Sequence, residues 1–167
     1  FASGLVETDM VSMLEKMLSF FKSAQQSGDV AADIEIELVW PPEGPARLPK
    51  VTISPDQIKQ VLVNFVQNAV QAIKKTHVTG GGKILIGAYV VRGYVNELAI
   101  YIEDNGVGIS QENLEKVFIP FFTTNNSGTG LGLSICARIV EAHEGRIDVQ
   151  TEEGKSTRFT VYLPVKG

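Results

Sequence analysis

One cysteine, two histidines and no basic run are what this 167-residue chain has least of. A single Cys136 excludes an internal disulfide and any cysteine-based zinc site. With 15 Lys and Arg against 19 Asp and Glu, the formal net charge is −4. That balance, without a Lys/Arg cluster, argues against a nucleic-acid or anionic-membrane surface. No apolar stretch approaches the roughly 20 residues that span a bilayer. Internal repeats, low-complexity tracts and a signal-peptide pattern are likewise missing, and the chain opens on Phe1 rather than Met. The expectation is a cytoplasmic piece of a longer protein, whose parent can be membrane-anchored. What is present is ordinary: 44% apolar and 20% charged residues, enough for one domain. Only glycine is in mild excess, at 16 residues, against an average share near 7%.

Met10, Leu14, Met17, Leu18 and Phe21 recur at helical spacing and predict a helix over about 8–26, stopped by Ser27-Gly28. Ile34, Ile36 and Leu38 alternate with Glu35 and Glu37 as a half-buried strand, and a short strand follows at 51–53. Ser54-Pro55-Asp56-Gln57 predicts a capping box with Pro at the first helical position. The helix it opens carries Ile58, Val61, Leu62, Phe65, Ala69 and Ile73 as its apolar stripe. A hairpin over 83–92 and 98–103 comes next, then a short helix capped by Ser110. A last helix runs to about His143 and is stopped by Gly145. Two alternating strands, 146–151 and 157–163, turn at Glu153-Gly154. Loops are expected at 41–45 and 79–82. This order predicts an α+β fold: a two-layer sandwich with a mixed, mostly antiparallel sheet and helices on one face.

Four clusters carry candidate chemistry. Asn64 and Asn68 are four apart on a helix, so their amides share a face, with Gln57, Gln60 and Gln71 extending a polar stripe. Asp104-Asn105-Gly106-Val107-Gly108-Ile109 puts a carboxylate at the end of a buried strand, followed at once by two glycines. That reads as a turn, or as a pocket floor where glycine lets a flat ligand lie against backbone. Gly128-Thr129-Gly130-Leu131-Gly132-Leu133 leads straight into a helix, where free N–H groups and the positive dipole end suit phosphate. It is neither a P-loop, because no Gly-Lys-Ser/Thr follows, nor a GxGxxG fingerprint. Phe118-Ile119-Pro120-Phe121-Phe122-Thr123-Thr124 precedes it, as core or as the anchored base of a lid.

In this order and spacing, the clusters resemble the boxes of the ATP-binding catalytic domain of sensor histidine kinases, a branch of the gyrase, chaperone and mismatch-repair ATP-binding superfamily. Asn64-x-x-x-Asn68-Ala69 resembles the asparagine box, Asp104-x-Gly106-x-Gly108 the first glycine box, 118–122 the phenylalanine box and 128–133 the second glycine box. The resemblance covers most of the chain and implies a Bergerat-type ATP-binding fold over 7–167, with 1–6 a linker remnant. It implies that Asp104 accepts from the adenine amino group, beside Gly106 and Gly108. Ala69, Ile73 and Ile109 would be apolar walls and Thr157 a polar contact. Asn68 would hold Mg²⁺, with Asn64 close to the same metal or phosphates. The N–H groups of Gly130, Leu131 and Gly132, within the Gly128–Thr129 and Leu133 frame, would cradle phosphates. Thr123 to Ser127 would be a short lid over the nucleotide, with Phe122 at its base and Thr123 beside the ligand, and Thr124 and the two Asn residues would be the catalytic candidates.

In hydrolysing relatives a Glu stands where this chain has Asn64, and an amide cannot activate water. The implied reaction is therefore transfer of the ATP γ-phosphoryl group to a histidine on a dimerisation domain of the parent homodimer, leaving ADP. The phosphate would pass on to a response regulator receiver domain. Neither histidine here suits that acceptor role: His77 reads as surface, and His143 as a last-turn residue favoured by the helix dipole. Asn125 replaces the lid Lys common in relatives, leaving Arg138 as a candidate substitute. Two other readings stand beside this one: an ATP-hydrolysing clamp, and a non-enzymatic nucleotide-sensing module.

Overall fold

A computed structural model describes residues 2–28, 33–77, 80–122 and 132–166. A short strand β1 (Val6–Thr8) pairs antiparallel with β3 (Val51–Ile53) as a separate two-stranded ribbon. Helix α1 (Met10–Ser27) starts two residues later than the periodicity suggests. Asp9 takes the N-cap, its carboxylate accepting from the Ser12 N–H at 3.3 Å. Gly28, left-handed at φ 87°, closes the helix as expected.

The main sheet combines β2 (Glu35–Val39), β4 (Lys83–Val91), β5 (Glu97–Asp104), β6 (Arg146–Glu152) and β7 (Ser156–Pro164), in the order β2-β4-β5-β7-β6. Among the described strands only β2 and β4 run parallel; the other pairings are antiparallel. The predicted α+β sandwich is what forms. α2 (Pro55–Lys74) and α4 (Gly132–Ala142) pack on each other, and with α1 on the sheet; α3 (Gln111–Leu114) is a single turn capped by Ser110.

Period two decides the inner face. Ile84, Ile86, Leu98, Ile100, Ile102, Phe159, Val161 and Leu163 are buried with the α2 stripe in one core. Phe65 and Phe159 stack at 4.9 Å between ring centroids, tying helix to strand. Each such fully buried side chain contributes roughly 1.5–3 kcal/mol. On the outer face Tyr101 lies flat over Gly87, where a Cβ would meet the ring at 2.2 Å. Arg158 and Arg146 stack on Tyr101 and Tyr162.

Two helix-end expectations fail. Ser54 is the N-cap of α2, yet among the described residues it makes no side-chain cap bond and the buried Gln57 Oε1 has no partner. The capping box does not form because His143 takes its place: Nε2 accepts the Ser54 N–H at 3.0 Å and Nδ1 donates to the Ile139 carbonyl at 2.8 Å. His143 is thus a buried imidazole bridging two helices, rather than only a last-turn residue at the dipole's end. The stop residue after α4 also differs. Glu144 adopts the left-handed conformation (φ 61°). Gly145 is needed for closeness, since a Cβ there would lie 2.3 Å from the Tyr162 carbonyl oxygen.

Candidate functional site

β5 ends on Asp104, set opposite Ile84 of β4 and Thr157 of β7. The side chain is 4% exposed, and its Oδ1 accepts the Gly106 N–H at 2.8 Å. Among the described residues no Lys or Arg pairs with it. Burial pushes the carboxyl up to about 6, against the pull of the Gly106 hydrogen bond.

Glycine is required at both positions that follow. A Cβ at Gly106 would lie 2.5 Å from the Ala72 carbonyl carbon, and the Val107 N–H bonds the Ala72 oxygen at 3.1 Å. Gly108 is left-handed (φ 72°), and a Cβ there would lie 2.4 Å from the Glu152 carbonyl oxygen. The backbone leaving β5 is therefore wedged between the last turns of α2 and the β6–β7 turn. On the far side, Thr151 Oγ1 accepts from the Ile109 N–H and donates to the Ser156 carbonyl, both at 2.9 Å. With that proton committed, Thr157 donates to Thr151 at 2.9 Å and keeps its own lone pairs beside Asp104.

Ala69 and Ile73 of α2 are buried in the core, and Ile109 packs half-buried against it. Asn64 and Asn68, one turn apart on α2, are both half-buried. Asn64 faces α4: its Oδ1 is 3.4 Å from where a Gly132 Cβ would be. Gly132 and Leu133 open α4, half-buried. Thr123, Thr124, Gly128, Thr129, Gly130 and Leu131 lie outside the described residues. So do Asn125 and the rest of the expected lid.

The phenylalanine cluster divides. Phe118 meets Phe159 edge-on at 6.4 Å and belongs to the core. Phe122 is half-buried, its N–H on the Ile119 carbonyl at 3.2 Å. Phe121 is 74% exposed with φ 69°, a conformation that costs a bulky side chain strain. Arg138 is exposed on α4.

Three contributors had no site role in the motif reading. Thr151 has no local pattern. Asn105 clips the start of β4, its Oδ1 accepting the Lys83 N–H at 2.8 Å and its Nδ2 donating to the Gly81 carbonyl at 2.9 Å. His77, expected at the surface, is half-buried and donates from Nε2 to the Asn105 carbonyl at 2.8 Å.

Residues 53–167 match the family model described as histidine kinase-, DNA gyrase B-, and HSP90-like ATPase. The chain belongs to this family. Within it, the resemblance is to histidine kinase ATP-binding catalytic domains. Sensor histidine kinase ZraS of Escherichia coli (strain K12) is 42% identical over 118 residues, which are 71% of this chain and 24% of ZraS. Sporulation kinase E of Bacillus subtilis (strain 168) is 35% identical over 119 residues, 71% of this chain and 15% of that kinase. The chain thus spans a quarter or less of these relatives. The catalytic domain of histidine kinase ThkA superposes with a TM-score of 0.74 at 31% identity, covering 96% of this chain and 95% of ThkA's. Full-length ShkA in complex with AMPPNP shares the fold, with a TM-score of 0.80 at 23% identity over 100% of this chain and 32% of that one. Among the described residues of this histidine kinase-type domain, no helix is long and apolar enough to cross a membrane.

Proposed function

We propose that this domain binds Mg-ATP and delivers the γ-phosphoryl group to a histidine on a separate helical domain of its parent, whose product passes to a receiver domain. One observation carries the reading: a buried carboxylate, Asp104, stands at the end of β5 without a cation among the described residues, flanked by backbone that only glycine permits. Such a carboxylate is an acceptor in search of a donor, and the amino group of adenine supplies one. Ala69, Ile73 and Ile109 would sandwich the base. The likeness to ThkA and the sensor kinases supports the same assignment.

The donor set also fits magnesium on one condition. Among the described residues no cluster of three His, Cys, Asp or Glu exists. Asn68 offers one neutral amide oxygen, which suffices for a hard cation that keeps waters and takes its other ligands from phosphate. The metal's contribution would be charge neutralisation on the phosphates. Asn64 has no basicity to activate water, so hydrolysis is disfavoured relative to transfer. The acceptor imidazole attacks phosphorus, the β–γ bridging P–O bond breaks, and ADP leaves. His143, buried and doubly hydrogen-bonded, and His77, bonded to Asn105, are both committed to structure.

Incubation with γ-labelled ATP, alone and with a matching phosphoacceptor domain, tests the proposal. The expected result is nucleotide binding without self-labelling, and label on the added domain. Strong labelling of this chain alone would overturn the external acceptor. A magnesium-dependent steady-state ATPase rate would instead favour a hydrolysing clamp, and binding with neither activity a nucleotide-sensing module.

A further inference from the structure

We propose that Thr151 is a positioning residue that draws the Thr157 hydroxyl proton away from Asp104 and so keeps that carboxylate open for a donor on the ligand. This rests on the reading that Asp104 accepts from the adenine amino group, and goes beyond it by naming what keeps the acceptor unfilled. Thr151, Thr157 and Asp104 stand side by side across β6, β7 and β5 in one row of paired residues. Thr157 and Asp104 are both buried. Directly opposite residues on antiparallel strands have Cβ atoms about 4.5–5.5 Å apart, which brings a hydroxyl within reach of a carboxylate. Yet among the described residues Asp104 accepts only from the Gly106 N–H, and Thr157 pairs only with Thr151.

Counting protons explains the gap. Thr151 Oγ1 lies 2.9 Å from each of three partners: the Ile109 nitrogen, the Ser156 carbonyl oxygen and the Thr157 hydroxyl oxygen. A threonine hydroxyl has one proton and two lone pairs. The Ser156 carbonyl only accepts, so the Thr151 proton goes to it, and the Ile109 N–H takes one lone pair. The second lone pair is left for Thr157, which therefore donates; the reverse direction would set the oxygens of Thr151 and Ser156 against each other with no proton between them. Thr157 thus turns its O–H towards β6 and has only lone pairs for the β5 side. Asp104 and Thr157 together make a floor of acceptors, which an amino group with two N–H bonds matches. Without the Thr151 lone pair, the Thr157 hydroxyl is free to rotate and donate to Asp104, and a ligand must then displace it.

Thr151 also holds the Ile109 N–H, so the test must separate that structural bond from the proton-directing one. Mg-ATP affinity is measured by calorimetry at pH 8, where the Asp104 carboxyl is ionised, for the unmodified chain, T151V, T151S, T157V, T151V/T157V and D104N. T151V should lose about tenfold, the order of one hydrogen bond to a charged group. T151S keeps the hydroxyl and should stay within about twofold. T157V has no proton to misdirect, so adding T151V to it should cost less than about twofold. Equal affinity for T151V and the unmodified chain, a T151S as weak as T151V, or the same loss with and without Thr157 would overturn the proposal. Should T151V not fold, T151C, whose sulfur is a weak acceptor, is held to the same outcomes. If D104N retains affinity, the placement of adenine at Asp104 fails instead. The proton's direction is then decided without nucleotide, by NMR titration of the Asp104 carboxyl, on which Glu103 is the other charge acting. A hydroxyl donating to the carboxylate favours its charged form. T151V should therefore titrate below the unmodified chain's midpoint of about 6, while T151S and T151V/T157V should not; an unmoved midpoint in T151V would overturn the proposal.

Discussion

Asp104 concentrates the conflict between stability and use in one side chain. Its carboxyl titrates near 6 in the folded chain because burial disfavours the charge; in the unfolded chain it titrates at the ordinary 3.8. The native state therefore binds this proton more tightly. The stability this group contributes is fully present below about pH 4 and is lost as pH rises through 6. A shift of that size corresponds to at most about 3 kcal/mol. Asp104→Asn keeps an oxygen for the Gly106 N–H and removes the charge. Urea unfolding should show it equal to or slightly below the parent at pH 4, and up to ~2 kcal/mol more stable at pH 7. Calorimetry at pH 7 should show no ATP binding to the same variant. A more stable protein that has lost its ligand cannot have lost it by unfolding. Retained affinity would show that the pocket is misplaced. Gly106→Ala is the steric counterpart: its Cβ collides with Ala72 backbone. It should cost more than about 2 kcal/mol, since neither side can yield without moving α2.

At the scale of elements, the junction of α2 with α4 holds the site together. His143 links residues 89 apart in sequence by accepting the Ser54 N–H. His143→Ala should leave that N–H unsatisfied inside the protein and cost about 1–3 kcal/mol, read from the denaturation midpoint. Gln57 in the same turn has a side-chain carbonyl with no partner among the described residues. The loss should therefore be smaller than for the double variant with Gln57→Ala, because the capping box can form once His143 is gone. If single and double variants are equally stable, the two acceptors do not compete. The phenylalanine segment divides on the same principle. Phe118 has an aromatic partner in β7 and stays, while Phe121 has none among the described residues and sits exposed at a strained φ.

For the molecule as a whole, the candidate site draws on α2, the end of β5 and the β6–β7 turn, so a ligand there should brace parts far apart in the chain. At a hundredfold excess of Mg-ADP over its dissociation constant, stabilisation of about 2.7 kcal/mol is expected. A rise in melting temperature should appear with the parent chain and vanish with Asp104→Asn. An equal rise in both would place nucleotide binding elsewhere.

The sequence by itself determined whatever depends on short spacing. Alternation along β4, β5 and β7, the stripe on α2 and the stop at Gly28 follow from neighbours within one turn or two pleats. So do the asparagine pair and the two glycine boxes, which hold five of the 16 glycines and account for their excess. The tertiary structure alone decided the rest. It paired β1 with β3, gave the Ser54 N–H to His143, set Thr151 under Ile109, and turned Asn64 towards Gly132. Each of these is a polar group meeting a partner dozens of residues away. Local propensity ranks what a residue prefers among its neighbours, but a buried donor or acceptor takes whichever partner the folded core brings within about 3 Å, because leaving it unmade costs more than any local preference returns.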